Sequence, residues 1–180
     1  EYRPLVSVLL PAYNSPLHVL RDALDSVLAQ TYDNWELCIA DDRSQDDAVV
    51  ALLREYEQKD SRIRVTFGEE NLNIAMNTQR CVEMAQGEYM ALFDHDDLLT
   101  EDALFCMVRP LQERRWASLY SDEDHVDAEG NFFTPNFKPD WNYDYLLAIN
   151  YVCHFLMIDS DVVRQAGGFQ PGTDGVQDRD

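Results

Sequence analysis

Apolar runs of about six residues alternate along the first two-thirds of the chain with stretches in which apolar side chains recur every three or four positions. Residues 5–10 form the first run, stopped by Pro11, and read as a buried parallel strand. After Asn14-Ser15-Pro16, the stripe Leu17, Leu20, Leu24, Val27 and Leu28 predicts a helix packed on that strand. The pattern repeats with a strand over 35–40 and a helix bearing Val49, Leu52, Leu53 and Tyr56, with Ser44 and Asp47 placed as a capping box. A third strand over 62–67 precedes a helix over 71–86, which Gly87 is expected to end in a left-handed turn. The fourth run, Tyr89 to Phe93, empties into Asp94-His95-Asp96-Asp97, and Thr100 is placed to cap a helix carrying Leu104, Met107, Val108 and Leu111. Four strand-helix repeats argue an α/β fold: an open, Rossmann-like, mainly parallel sheet with helices on both faces.

Beyond residue 118 the helical alternation stops. Asp122-Glu123-Asp124 reads either as a solvated turn or, following another expected strand, as a cleft position, Gly130-Asn131 as a turn, and Pro135 and Pro139 bracket an extended piece. A short helix over 141–149, a strand over 155–159 and a helix capped by Ser160 and ended by Gly167-Gly168 complete the expectation. The 180 residues, 46% hydrophobic and 27% charged, suit one well-cored domain.

Charge narrows the function. Fourteen Lys and Arg against 34 Asp and Glu give a net charge of −20, which repels nucleic acid and anionic lipid. Cys38, Cys81, Cys106 and Cys153 show no Cys-x-x-Cys and read as reduced core residues, which favours a reducing compartment. His18, His125 and His154 lack ligand spacing, so a His-rich zinc site is not indicated; His154 reads as a core or pocket residue. No apolar run reaches the roughly 18 residues of a membrane span.

Ligands on open α/β sheets gather at the carboxyl ends of the strands, where Asp41, Asp42, Asp94 and Asp96 fall. If the fourth strand continues to its end, Asp94 and Asp96 share one side and His95 faces the other. Two carboxylates side by side invite a divalent cation; the alternative is that they cap the next helix. Tyr13 either stacks on a flat base or packs locally, and Asp42 either accepts from a base or ribose or caps a helix. Asp178 is a candidate base for an incoming hydroxyl, or a surface residue.

Together these residues resemble the inverting family 2 glycosyltransferases of the GT-A fold over essentially the whole chain. The resemblance is carried by residues 6–14, 26–32 and 36–44, and by Gly87-Glu88-Tyr89 with the Asp94-His95-Asp96-Asp97 motif. Tyr120 to Asp124, Phe137 to Trp141, Gly167-Gly168-Phe169 and Gln177-Asp178 are similar to transferases that build bacterial surface polysaccharides, including O-antigen and rhamnan chains. The resemblance implies that Pro11, Tyr13 and Asp42 hold the base, Asp94 the ribose and Asp96 a divalent metal, Mn or Mg, on the diphosphate. Asp178 would be the general base, with Gln177 where the family more often has an acid. Asp122, Asp124, Trp141 and His154 would line a donor or acceptor pocket. The family's Asn-x-Gly segment is altered here to Asn71-Leu72-Asn73, with Thr78 or Arg80 as substitutes for its missing Arg.

The implied function is transfer of a hexose or deoxyhexose from a UDP- or dTDP-linked sugar to a saccharide or lipid-linked acceptor, in the cytoplasm or at the inner face of the membrane. Residues 1–120 would form the nucleotide-sugar half and 121–180 the acceptor half of one domain. A chain that opens on Glu1 and stops at Asp180 within an acidic segment is expected to be cut from a longer one, with the acceptor side partly truncated and membrane contact confined to regions outside it. A nucleotidyltransferase is the rival enzyme, but Pro11-Ala-Tyr-Asn-Ser15 is neither Gly-rich nor basic. A non-catalytic receiver-like module would need a Lys near its acids, and only Lys59 and Lys138 occur.

Overall fold

A computed structural model describes residues 1–127 and 130–173. Four parallel strands, β1 (Val6–Ala12), β2 (Trp35–Asp41), β3 (Ile63–Phe67) and β4 (Tyr89–Leu92), alternate with helices α1 (Leu17–Leu28), α2 (Asp47–Lys59) and α3 (Asn73–Met84). Then follow α4 (Ala103–Val108), continued by a 3-10 turn over Arg109–Gln112, and β5 (Ser118–Tyr120). The remaining elements are a hairpin of β6 (Glu123–Val126) and β7 (Phe132–Asn136), then α5 (Tyr143–Ala148), β8 (Leu156–Asp159) and α6 (Ser160–Ala166). The main sheet runs β3-β2-β1-β4-β8-β5, and β8 is antiparallel to both of its neighbours. This is the α/β architecture expected, with one reversed strand.

Alternation along β1 builds the two layers. Val6, Val8 and Leu10 face a core shared with Leu20, Leu24, Val27, Leu53, Tyr56, Leu104 and Met107, so α1, α2 and α4 cover that side. Leu9 faces the other way, onto Cys81, Val82 and Val163 of α3 and α6. Strands apolar on both faces are what a sheet covered by helices on both sides requires.

Several local expectations are corrected. Pro11 does not stop β1. Leu9 O accepts from Phe93 on the β4 side and Ala12 O from Asp42 on the β2 side, so residue 11 points towards β4, beyond the last β1-β4 pair, Leu9 with Leu92. A missing N–H costs no ladder bond there. Ser44 does not cap α2; Asp46 does, accepting from Ala48 N at 2.9 Å, while Ser44 Oγ donates to Asp41. Thr100 does not cap α4 either. The Gln30 side chain, projecting from the end of α1, accepts from Leu104 N at 2.9 Å and donates to the carbonyls of Ser26 and Thr100. Asp159 rather than Ser160 caps α6, and Ser160 Oγ donates to Gly87 O.

Gly87 is not a left-handed helix terminus. Helix α3 ends in an extended Ala85, and Gly87 is needed for close approach: a Cβ there would lie 2.6 Å from Leu5 O and 2.8 Å from Ser7 N. Glu123 and Asp124 belong to β6 rather than to a turn. Cys38 and Cys81 are buried free thiols as expected, but Cys106 is exposed and Cys153 half-buried.

Candidate active site

At the carboxyl ends of β1 and β2 the chain turns away through two loops stapled to each other. Asn14 N donates to Ser44 Oγ at 2.9 Å, and Gln45 N donates to Asn14 Oδ1 at 2.7 Å. Asn14 and Arg43 take left-handed backbone angles, φ 46° and 64°, where the chain turns out of each strand beside a cleft. That cleft, a cavity of about 380 Å³, is lined by Pro11, Ala12, Tyr13 and Asp42, by residues at the start of α3, and by His95. Tyr13 is 45% exposed, with its ring available to a ligand. Asp42 is buried: its carboxylate accepts from Leu72 N at 2.9 Å and from Arg80 Nη1 at 2.8 Å. Arg80 therefore serves Asp42, and Thr78 Oγ1 donates to Ile74 O within α3.

A second cavity, about 590 Å³, opens on the other side of the β4 terminus. Asp96, Asp97, Asp122, Glu123, Asp124 and His154 line it, with Phe132, Pro135 and Phe137 from the hairpin. His154 Nδ1 stands 3.1 Å from Asp97 Oδ2 and 3.7 Å from Asp94 Oδ2. The Asp97 contact is an ion pair without well-aligned hydrogen-bond geometry. The Asp97 carboxylate first, then the Cys153 side chain, stabilise the imidazolium against the opposing effect of burial, and its pKa is pushed up to about 11. Glu123 is held below the usual carboxylate range: burial pushes it up, but hydrogen bonds from Asn136, His154 N and Lys138 outweigh that.

Asp94, Asp97 and His154 each offer a ligand atom within 4.8 Å of the others. Two carboxylate oxygens and an imidazole nitrogen suit a divalent cation such as Mn²⁺ or Mg²⁺, so the donor set fits a metal at this strand end.

Three of the four residues predicted to hold a nucleotide, Pro11, Tyr13 and Asp42, meet in the first cavity. Asp94, the fourth, instead joins Asp97 and His154. Asp96 is exposed and lines the second cavity with Asp122, Asp124 and His154, outside the three-residue cluster. Trp141 is exposed ahead of α5 and lines neither cavity. Asp178 and Gln177 lie outside the described residues. His95 faces the first cavity, away from Asp96 and the Asp94 cluster as expected, but through a turn rather than strand alternation: β4 ends at Leu92 and Asp97 N donates to Asp94 O. Asp97 and Lys138 also gain roles at the site that pattern alone did not assign.

Residues 7–167 match the model of the glycosyl transferase family 2. The chain is 44% identical over 178 residues to the uncharacterized protein y4gI of Sinorhizobium fredii, covering 98% of this chain and 20% of that one. It is 35% identical over 179 residues to the O-antigen biosynthesis protein RfbC of Myxococcus xanthus, covering 99% and 14%. It thus spans a fifth or less of the length of these two relatives. Among solved structures, the mannosyltransferase PcManGT of Pyrobaculum calidifontis, in complex with GDP-Man and Mn²⁺, superposes with a TM-score of 0.74 at 20% identity, over 99% of this chain and 50% of that one, a likeness of GT-A fold. By that family match, which spans most of its length, this chain belongs to glycosyl transferase family 2.

Proposed function

We propose that the domain moves a hexosyl or deoxyhexosyl group from a nucleoside diphosphate sugar to a hydroxyl of a saccharide or lipid-linked acceptor, with inversion, in cell-surface polysaccharide synthesis. The observation that carries this reading is the pair of cavities flanking the end of β4. One has an exposed aromatic ring and a buried carboxylate, suited to a base and its N–H groups; the other is a carboxylate-imidazole pocket suited to a diphosphate's metal. The name of the M. xanthus relative supports the polysaccharide assignment, and the GDP-Man and Mn²⁺ held by the archaeal mannosyltransferase support a nucleotide sugar with a divalent cation.

Pro11, Tyr13 and Asp42 would hold a UDP- or dTDP-linked donor. Asp94 would hold the ribose and Asp96 the metal, with Asp94, Asp97 and His154 offering a second set of metal donors. When bound there, Mn²⁺ or Mg²⁺ supplies positive charge to the departing diphosphate. Asp178 takes the proton of the acceptor hydroxyl, whose oxygen bonds to the anomeric carbon as the bond to the nucleoside diphosphate breaks; one displacement inverts the configuration. The chain would act as one domain in the cytoplasm, or at the inner membrane face through other parts of the protein. No helix among the described residues is long and apolar enough to cross a membrane.

A thermal-shift screen of UDP, dTDP and GDP with and without Mn²⁺ tests the reading. A metal-dependent rise in melting temperature is expected with UDP or dTDP, and a melting temperature unmoved by every nucleotide would overturn it. Asp178→Asn should abolish transfer yet keep that shift.

A further inference from the structure

The hairpin β6–β7 and the loop that leaves it present aromatic rings to solvent at the mouth of the second cavity. Phe132 is 70% exposed and Phe137 78% exposed, and both line that cavity together with Pro135. Large rings left this open cost solvation free energy unless something covers them. Their placement says what would cover them. The same cavity carries the exposed carboxylates of Asp122, Asp124 and Asp96, so its wall combines apolar ring faces with acceptors, Asp122 keeping positions beyond the one that Lys138 N takes at 2.8 Å. A peptide or lipid chain would use the rings and strand the carboxylates. A pyranose uses both: its C–H face lies on the negative face of a ring, and its hydroxyls donate to carboxylates.

Charge selects within that class. Among the described residues, the basic side chains lining the cavity are His125 and His154. His154 is committed to Asp97 and Asp94, and His125 stacks on Phe133 at a centroid distance of 5.5 Å. On a chain with net charge −20, a uronate or phosphorylated sugar entering this pocket without a metal meets carboxylates and, among the described residues, no guanidinium or ammonium lining it.

We infer that the β6–β7 hairpin, with Phe132 and Phe137 as stacking faces and Asp122 and Asp124 as hydroxyl acceptors, is a subsite for a neutral pyranose unit of the acceptor. This deepens the glycosyl-transfer reading, on which it rests, by naming the acceptor's chemical class.

The test is saturation-transfer NMR on the protein with methyl β-glucoside and methyl α-rhamnoside as neutral probes and methyl β-glucuronide as the anionic one, with no donor added. Transfer to the ring C–H protons of a neutral glycoside is expected, with weaker transfer to the glucuronide. Phe132→Ala/Phe137→Ala should reduce the neutral signal about tenfold while the UDP-Mn²⁺ melting shift persists. Both rings are exposed, so the variant keeps its core, and its unchanged melting temperature without ligand checks this. No transfer to either neutral probe, equal transfer to the glucuronide, or an undiminished signal in the double variant would each overturn the inference. Absence of any nucleotide shift in the wild type would strike the donor reading alone, because the saccharide measurement uses no nucleotide.

Discussion

Lys138 Nζ donates to the carbonyl oxygen of His154 at 2.8 Å, and the same ammonium lies 3.1 Å from Glu123 Oε2, which accepts from His154 N at 2.8 Å. Both backbone groups of His154 are thus held by one ion pair, and the Lys138 side chain is only 1% exposed. Breaking a buried pair leaves the surviving charge uncompensated. Lys138→Met is expected to cost about 3 kcal/mol in urea unfolding and to weaken Mn²⁺ binding, because the imidazole loses its backbone anchor. Unchanged Mn²⁺ affinity in a folded Lys138→Met protein would show that the clamp is structural only.

His154 also sets a pH dependence. Its pKa lies at about 11 in the folded chain against 6.5 ordinarily, so the folded state holds a proton that the unfolded state releases above pH 6.5. The stabilisation is therefore complete below 6.5 and is lost as pH rises towards 11. In metal-free protein, the stability advantage of wild type over His154→Gln should shrink steadily between pH 6.5 and 9.5. A cation taken by this imidazole must displace the proton, so Mn²⁺ affinity should rise over the same interval. Affinity independent of pH would place the metal on the carboxylates alone.

In the first cavity, the exposed ring of Tyr13 stands at the carboxyl end of β1. Stacking of a base on an aromatic ring is worth about 1–3 kcal/mol by alanine substitution, so Tyr13→Ala should raise the UDP dissociation constant roughly tenfold or more, by calorimetry. Tyr13→Phe should retain most of the affinity, which separates stacking from a role of the hydroxyl.

Gly87 makes a stability prediction far from either cavity. Gly87 N donates to Ser7 Oγ at 2.8 Å, Ser7 Oγ donates to Glu36 Oε1 at 2.6 Å, and Gln86 N donates to the same oxygen at 2.6 Å. An alanine Cβ would meet backbone on β1 that cannot yield without moving a central strand. Gly87→Ala should destabilise the domain by about 3 kcal/mol in chemical denaturation, with nucleotide affinity per folded molecule unchanged.

The strands and helices of the first 112 residues were legible because each apolar run or stripe has one way to be buried. Val6, Val8 and Leu10 against Leu9 is the simplest case. The caps were not, because several Ser, Thr and Asp residues stand before each helix and the choice is made by distant partners. Gln30 reaches Leu104 N across 74 residues of sequence, and Ser44 is diverted to Asp41. The site was half legible for the same reason. Pro11, Tyr13 and Asp42 sit at strand ends that periodicity locates, whereas the meeting of Asp94 and Asp97 with His154 depends on a turn that begins after Leu92 and on a loop 57 residues away from Asp97.

Asp42 is the residue on which the nucleotide reading can be broken most cleanly. Its side chain is 3% exposed, and Arg80 supplies its charge partner while also donating to Asn77 Oδ1 at 3.3 Å and Glu70 O at 3.2 Å. A carboxylate has about four acceptor positions; Leu72 N and Arg80 leave room for a donor from a base. Arg80→Met strands a buried charge, and Asp42→Asn removes the charge while putting amide hydrogens where two donors already point. Each single variant should lose about 2 kcal/mol of stability and most of its nucleotide affinity. The double variant should be little worse than either single one, giving a coupling of about 2 kcal/mol in a double-mutant cycle on urea unfolding. A coupling near zero, with nucleotide binding intact in Arg80→Met, would mean that the pair neither stabilises the loop nor orients Asp42, and the base-binding role would have to pass to Tyr13 and His95.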